Sequence, residues 1–167
     1  MSDKVKIAMI DDEEDLCLMV KANLEDMEGY EMVFSCHPED AERFVKQEQP
    51  DVVLLDVVMP ERKGTDVVMG IRQDPDMRHI PIIMVSGKGE MVYNNTKDEF
   101  HWMPNTQLVQ DRGDIPDAKG AEALAEAYGV NDYISKPFTT DLLVEVIQEV
   151  LKRSKKRKDP GQEETPE

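Results

Sequence analysis

Cysteine is nearly absent from this chain, aromatic residues are few, and no run of apolar residues exceeds five. Two cysteines, Cys17 and Cys36, cannot build a disulfide framework, so they read as small buried apolar groups in a reducing compartment. A membrane-spanning helix needs about 20 consecutive apolar residues, so no segment here crosses a bilayer and no membrane partner is expected. Residues 1–10 carry two lysines but no long apolar stretch or small-residue cleavage site, which excludes a secretory signal and points to the cytoplasm. Cations are also in deficit. The 167 residues hold 20 Lys and Arg against 36 Asp and Glu, a formal charge of −16. Residues 152–158 (KRSKKRK) carry six of the cations and residues 159–167 four acids, which leaves −18 on residues 1–151. Such an acidic body lacks the clustered Lys and Arg that displace counterions from a duplex, so direct nucleic-acid binding is not expected. The basic run suits the end of a helix, where cations complement the dipole, with a charged disordered tail over 153–167.

What is present is a strict alternation of two hydrophobic periods. Val5, Ile7 and Met9 suit a strand, and Leu16, Met19, Val20, Leu24 and Met27 recur at helical spacing behind a run of acids. Residues 30–34 read as a second strand, and Ala41, Phe44 and Val45 mark a short helix after Pro38. The unbroken run Val52-Val53-Leu54-Leu55 is typical of a strand covered on both faces, which argues for a parallel sheet. Val67, Val68 and Ile71 give a third helix, residues 82–85 a fourth strand, residues 118–128 a fourth helix and residues 130–135 a fifth strand. A last helix carries Leu142, Leu143, Val146, Ile147, Val150 and Leu151 as one stripe. Five strand–helix units predict an α/β domain, doubly wound around an open five-stranded parallel sheet with helices on both faces. It spans residues 1–152.

In such sheets, ligands collect beyond the carboxyl ends of the strands. The residues at those ends are Asp11-Asp12-Glu13-Glu14-Asp15, Asp56, Ser86 and Lys136-Pro137. Gathered carboxylates repel one another by about 4 kcal/mol per pair at 4 Å and an effective dielectric of 20, so a cation is required among them. Mg²⁺ fits, being a hard ion held by one or two carboxylates, waters and a phosphoryl group. A carboxylate such as Asp56 then serves as nucleophile towards phosphorus, with Lys136 neutralising the phosphoryl oxygens and Ser86 donating a hydrogen bond. The histidines, His37, His79 and His101, have no metal-ligand spacing.

The pattern IDDEE at 10–14, LLDVVMP at 54–60 with Gly64 beyond it, VSG at 85–87 and DYISKPF at 132–138 resembles the receiver domain of two-component response regulators. The resemblance implies a flavodoxin-like strand order 2-1-3-4-5. It implies Asp56 as phosphoacceptor and a Mg²⁺ site of Asp12, Asp11 through water, Asp56 and the backbone carbonyl of Val58. Lys136 would pair with the phosphoryl oxygens, Ser86 and Tyr133 would be the switch residues, and the Lys136-Pro137 bond would be cis. The implied function is acceptance of phosphoryl from a sensor histidine kinase or phosphotransfer protein, with signalling through altered partner affinity. Such a chain is not an enzyme beyond its own phosphorylation and dephosphorylation.

One stretch breaks the rhythm. Between the fourth and fifth strands the chain uses 44 residues, Ser86 to Gly129, where a loop, a helix and a second loop need about 15 to 25. The excess lies at 88–117, which holds Tyr93, Phe100 and Trp102 with Met91, Met103, Leu108 and Val109. It is expected to fold back near Ser86 as a lid or docking patch. That patch would adjoin the face formed by the fourth helix, fifth strand and fifth helix, through which the downstream protein binds. Too few residues follow the last helix to bury another core, so a stand-alone receiver is expected. The alternative is a degenerate receiver that binds partners without phosphorylation. An aspartyl-phosphate hydrolase would want an acid at Val58, and a flavin carrier would want a Ser/Thr-rich loop where this chain has five acids.

Overall fold

The fold is that of a computed structural model, which describes residues 3–57, 59–60, 62–86, 89–94, 99–104 and 129–158. Strands β1 (Val5–Ile10), β2 (Tyr30–Ser35), β3 (Val52–Asp56), β4 (Ile82–Ser86) and β7 (Asp132–Ser135) form one sheet in the order β2-β1-β3-β4-β7. Every pairing in it is parallel. With β7 as the fifth strand of the sheet, this is the order 2-1-3-4-5.

The apolar runs of the central strands divide by alternation, because successive side chains of a strand point to opposite faces. On one face, Ala8 and Ile10, Val53 and Leu55, and Ile82 and Met84 pack with Val45 of α2 (Ala41–Glu48) and with Val67, Val68 and Ile71 of α3 (Gly64–Gln73). On the other, Ile7, Met9, Val52, Leu54, Ile83 and Val85 meet Cys17, Val20 and Leu24 of α1 (Glu14–Glu25). The same face receives Leu143, Ile147 and Val150 of α4 (Thr140–Lys158). Burial on both sides is why these strands are apolar without alternation, and it leaves their ends as the natural place for polar chemistry.

Two departures from the sequence expectation concern the ends of the insertion and of the chain. Strands β5 (Gly89–Asn94) and β6 (Glu99–Pro104) pair antiparallel within the insertion, where no strands were expected. Their register sets Met91 opposite Trp102 and Tyr93 opposite Phe100, so these four positions share one face of the strand pair. The expected fourth helix at 118–128 lies outside the described residues. The last helix runs to Lys158, past the boundary drawn at 152. Lysine and arginine are good helix formers, and at a helix C-terminus their charge opposes the dipole, so the basic run extends the helix instead of ending it.

Candidate functional site

The carboxyl edge of the sheet assembles its acids from neighbouring strands. Ile10 pairs with Leu55, so the next residues along, Asp11 and Asp56, stand side by side. Asp12 adds a third carboxylate from the start of the β1–α1 turn. One carboxylate oxygen from each of the three lies within 4.8 Å of the other two. Asp11 is fully buried, Asp56 is 4% exposed, and Asp12 faces solvent.

Lys136 closes this edge from beyond β7. Its Nζ lies 2.7 Å from Asp11 Oδ2, 3.3 Å from Glu13 Oε1 and 3.7 Å from Asp56 Oδ2, with the side chain 12% exposed. The peptide bond to Pro137 is cis, as the family resemblance implied. The Glu13 backbone N–H donates to Asp11 Oδ1 at 2.9 Å, which fixes that carboxylate from the opposite side.

Electrostatics follow from burial. Desolvation raises the pKa of Asp11 above the ordinary aspartate value, against the lowering by Lys136 and the Glu13 N–H. Burial pulls Lys136 down, but its hydrogen bond to Asp11 and the charges of Asp56, Asp11 and Glu13 outweigh this and hold it above the usual lysine range. The site is therefore an excess of negative charge with one ammonium set into it. Three convergent carboxylates supply only oxygen donors, the set that suits a hard cation such as Mg²⁺.

Gly64 shapes the same edge. Its N–H donates to the Val57 carbonyl at 2.9 Å, and a Cβ at this position would collide with the backbone carbonyl of Asp56. Only glycine lets α3 start this close to the acceptor strand.

Of the residues singled out from the sequence, Asp11, Asp12, Asp56 and Lys136 are brought together. Ser86 ends β4 in register with Ser135, on the same edge of the sheet, and its hydroxyl lies outside the described part of the structure. Tyr133 pairs with Met84 on β7 and packs, half-buried, against the core face that holds α2 and α3. Val58 lies outside the described residues. Sequence reasoning missed Glu13 as a partner of Lys136. The signal was its place in the acid run, but a contact across 123 residues shows in no spacing.

Residues 7–99, more than half the chain, match the response regulator receiver domain, and the chain belongs to that family. It is 29% identical over 150 residues to the phosphate regulon transcriptional regulatory protein PhoB of Rhizobium meliloti (strain 1021), covering 90% of this chain and 53% of that protein. The chain thus spans about half the length of that curated relative. Its fold is shared with the chemotaxis protein CheY4 of Vibrio cholerae (TM-score 0.63, 22% identity, 88% of this chain and 98% of that one). It is shared too with a CheY-like receiver domain protein of Methanospirillum hungatei JF-1 (TM-score 0.65, 20% identity, 92% and 98%). Among the described residues, no helix is long and apolar enough to cross a membrane.

Proposed function

We propose that this receiver accepts a phosphoryl group on Asp56 from a sensor histidine kinase or phosphotransfer protein, in the cytoplasm, and signals by changing its affinity for a downstream protein. The observation that carries the reading is the position of Asp56. It is nearly buried, with carboxylate oxygens of Asp11 and Asp12 within 4.8 Å and the ammonium of Lys136 at 3.7 Å. In this reading an Asp56 carboxylate oxygen attacks phosphorus while the bond from phosphorus to a donor imidazole nitrogen breaks. The electron pair of that bond stays on the imidazole. Lys136 balances charge on the phosphoryl oxygens, and Ser86 and Tyr133 are the residues whose rearrangement reports the new group.

Asp11, Asp12, Asp56 and the Val58 carbonyl are the groups proposed to hold Mg²⁺, which supplies charge neutralisation at the transferring phosphoryl group. The chain catalyses only its own phosphorylation and dephosphorylation, and it acts in trans on a separate protein. The face between β7, α4 and residues 118–128 is proposed as the surface for that protein, with the insertion 88–117 beside it.

Incubation with Mg²⁺ and acetyl phosphate, read by intact mass, tests the reading. A phosphoryl adduct in the wild type and none in Asp56→Asn is expected. An adduct that survives the substitution, or no adduct at all, overturns it. The intact mass of the protein isolated from its source cells, 19.1 kDa if it acts alone, tests the trans arrangement.

A further inference from the structure

The end of the sheet opposite Asp56 holds a cavity of about 190 Å³. Its floor is the segment 129–131 that leads into β7, and its wall is Arg153, Ser154 and Arg157 of α4. Together with the buried Val150, these wall positions follow the spacing i, i+3, i+4, i+7, so they continue the stripe that packs on the sheet as Leu143, Ile147 and Val150. Where the helix passes the end of the sheet, the stripe changes from aliphatic to Arg, Ser and Arg. A helix leaving a core needs polar residues there. It does not need a cavity with a half-buried cation beside its floor.

That cation is Arg72, from the last turn of α3. Its guanidinium donates to the carbonyls of Gly129 (2.9 Å), Arg78 (3.0 Å) and Ile80 (2.7 Å) and to Asn131 Oδ1 (3.0 Å). All four acceptors are neutral, so its charge reaches the cavity floor uncancelled by any of them. Burial lowers its pKa below the ordinary arginine value, and an arginine so lowered is still cationic at neutral pH. Gly129 has φ 69°, and a Cβ there would press on Arg72 Nε at 3.1 Å, so the floor admits the guanidinium because this position is glycine. Asn131 is fixed in turn, its Oδ1 also accepting from the Ile82 N–H at 2.9 Å.

On the wall, Arg153 is held by Asp132 at 2.7 Å, a pair that cancels in charge and orients the fork. Arg157 forms no ion pair among the described residues. Among the described residues that line or brace the cavity, Arg72 and Arg157 are therefore the cations that form no ion pair, on a chain that is otherwise strongly acidic.

We propose that this cavity binds a compact phosphorylated anion, with Arg157 and Arg153 as its charged partners, Ser154 and Asn131 as neutral ones, and Arg72 supplying fixed charge from behind. A volume of about 190 Å³ equals roughly six waters at their liquid volume and falls below the ~300 Å³ of a drug-sized pocket, which suits a phosphate or diphosphate group. Guanidinium forks match phosphoryl oxygens bidentately, and a charge near −2 meets the local excess better than a single carboxylate does. The site is independent of phosphorylation at Asp56.

The test is calorimetric titration of the full chain with inorganic pyrophosphate, with chelator present so that no divalent ion bridges the probe to the acidic site. Saturable one-site binding is expected, with amide shifts at Gly129 and Asn131. Arg157→Gln should weaken it roughly tenfold or more, the loss of a charge-assisted contact. The double variant Lys155→Gln/Lys156→Gln removes cations of the same run that do not line the cavity, and should change affinity by no more than about twofold. Absence of saturable binding overturns the proposal, as does an equal loss in the lysine variant, which would assign binding to the general charge of the helix end. Citrate competing as well as pyrophosphate would overturn the ligand class.

Discussion

The ammonium of Lys136 sits 2.7 Å from Asp11 and 3.7 Å from Asp56, so in this state the lysine is bound more closely to the buried acid than to the proposed acceptor. Asp11 nonetheless keeps a raised pKa, which means that one ammonium does not fully offset its desolvation.

Asp11→Asn is therefore expected to stabilise the metal-free protein at neutral pH, seen as a rise in Tm. The sign follows from linkage. A carboxyl whose folded pKa is raised binds its proton more tightly when folded. Its contribution is fully present below the unfolded value of 3.8 and is lost as pH rises through the folded pKa. The gain from the substitution should shrink as pH falls towards that range. Thermal melts with chelator and with Mg²⁺ provide the check: magnesium should raise the Tm of the wild type and not that of the variant.

Lys136→Ala leaves two buried carboxylates facing each other. A loss of about 1–3 kcal/mol at pH 7 is expected, the cost of leaving buried groups unpaired, with a smaller loss under acid where the acids protonate. Denaturant unfolding at two pH values measures it. Acetyl phosphate labelling of the variant should be slowed at both.

Gly64→Ala forces a Cβ against the Asp56 carbonyl. Because the obstacle is backbone, the start of α3 or the end of β3 must shift, at a cost of about 1–3 kcal/mol. Labelling should fall together with stability. A Gly64→Ala variant with wild-type melting would show that the close approach is not constraining.

Cys17 is fully buried, and burial pushes its thiol pKa well above the ordinary value, with Asp11 adding to the effect. It should resist iodoacetamide at neutral pH in the folded protein and react after unfolding, because the thiolate is the nucleophile. Cys36 is less buried but its pKa is also raised, chiefly by desolvation, so it should react slowly rather than not at all. Peptide mass mapping separates the two sites.

Much of the fold was legible in the chain because the central strands are covered on both sides. Runs such as Val52–Leu55 have few other solutions, and the acids after Ile10 and at Asp56 could only meet at one edge of a parallel sheet. The strand pair at 89–94 and 99–104 carries a weaker signal, β-branched and aromatic residues on either side of the polar stretch Asn94-Asn95-Thr96-Lys97-Asp98. Glu13 beside Lys136 and Arg72 beneath Gly129 and Asn131 were invisible for another reason: each depends on contacts across more than 50 residues that only the folded sheet creates. The last helix is longer than expected because its basic residues form its final turns and not its end.

The lateral placement of Asp11 beside Asp56 follows from the ladder between β1 and β3, whose last pair, Ile10 and Leu55, immediately precedes the two acids. Asp12 comes from the turn after β1 and Lys136 from beyond β7, so the cation pocket needs the connections as well as the sheet, and should loosen before the sheet itself melts.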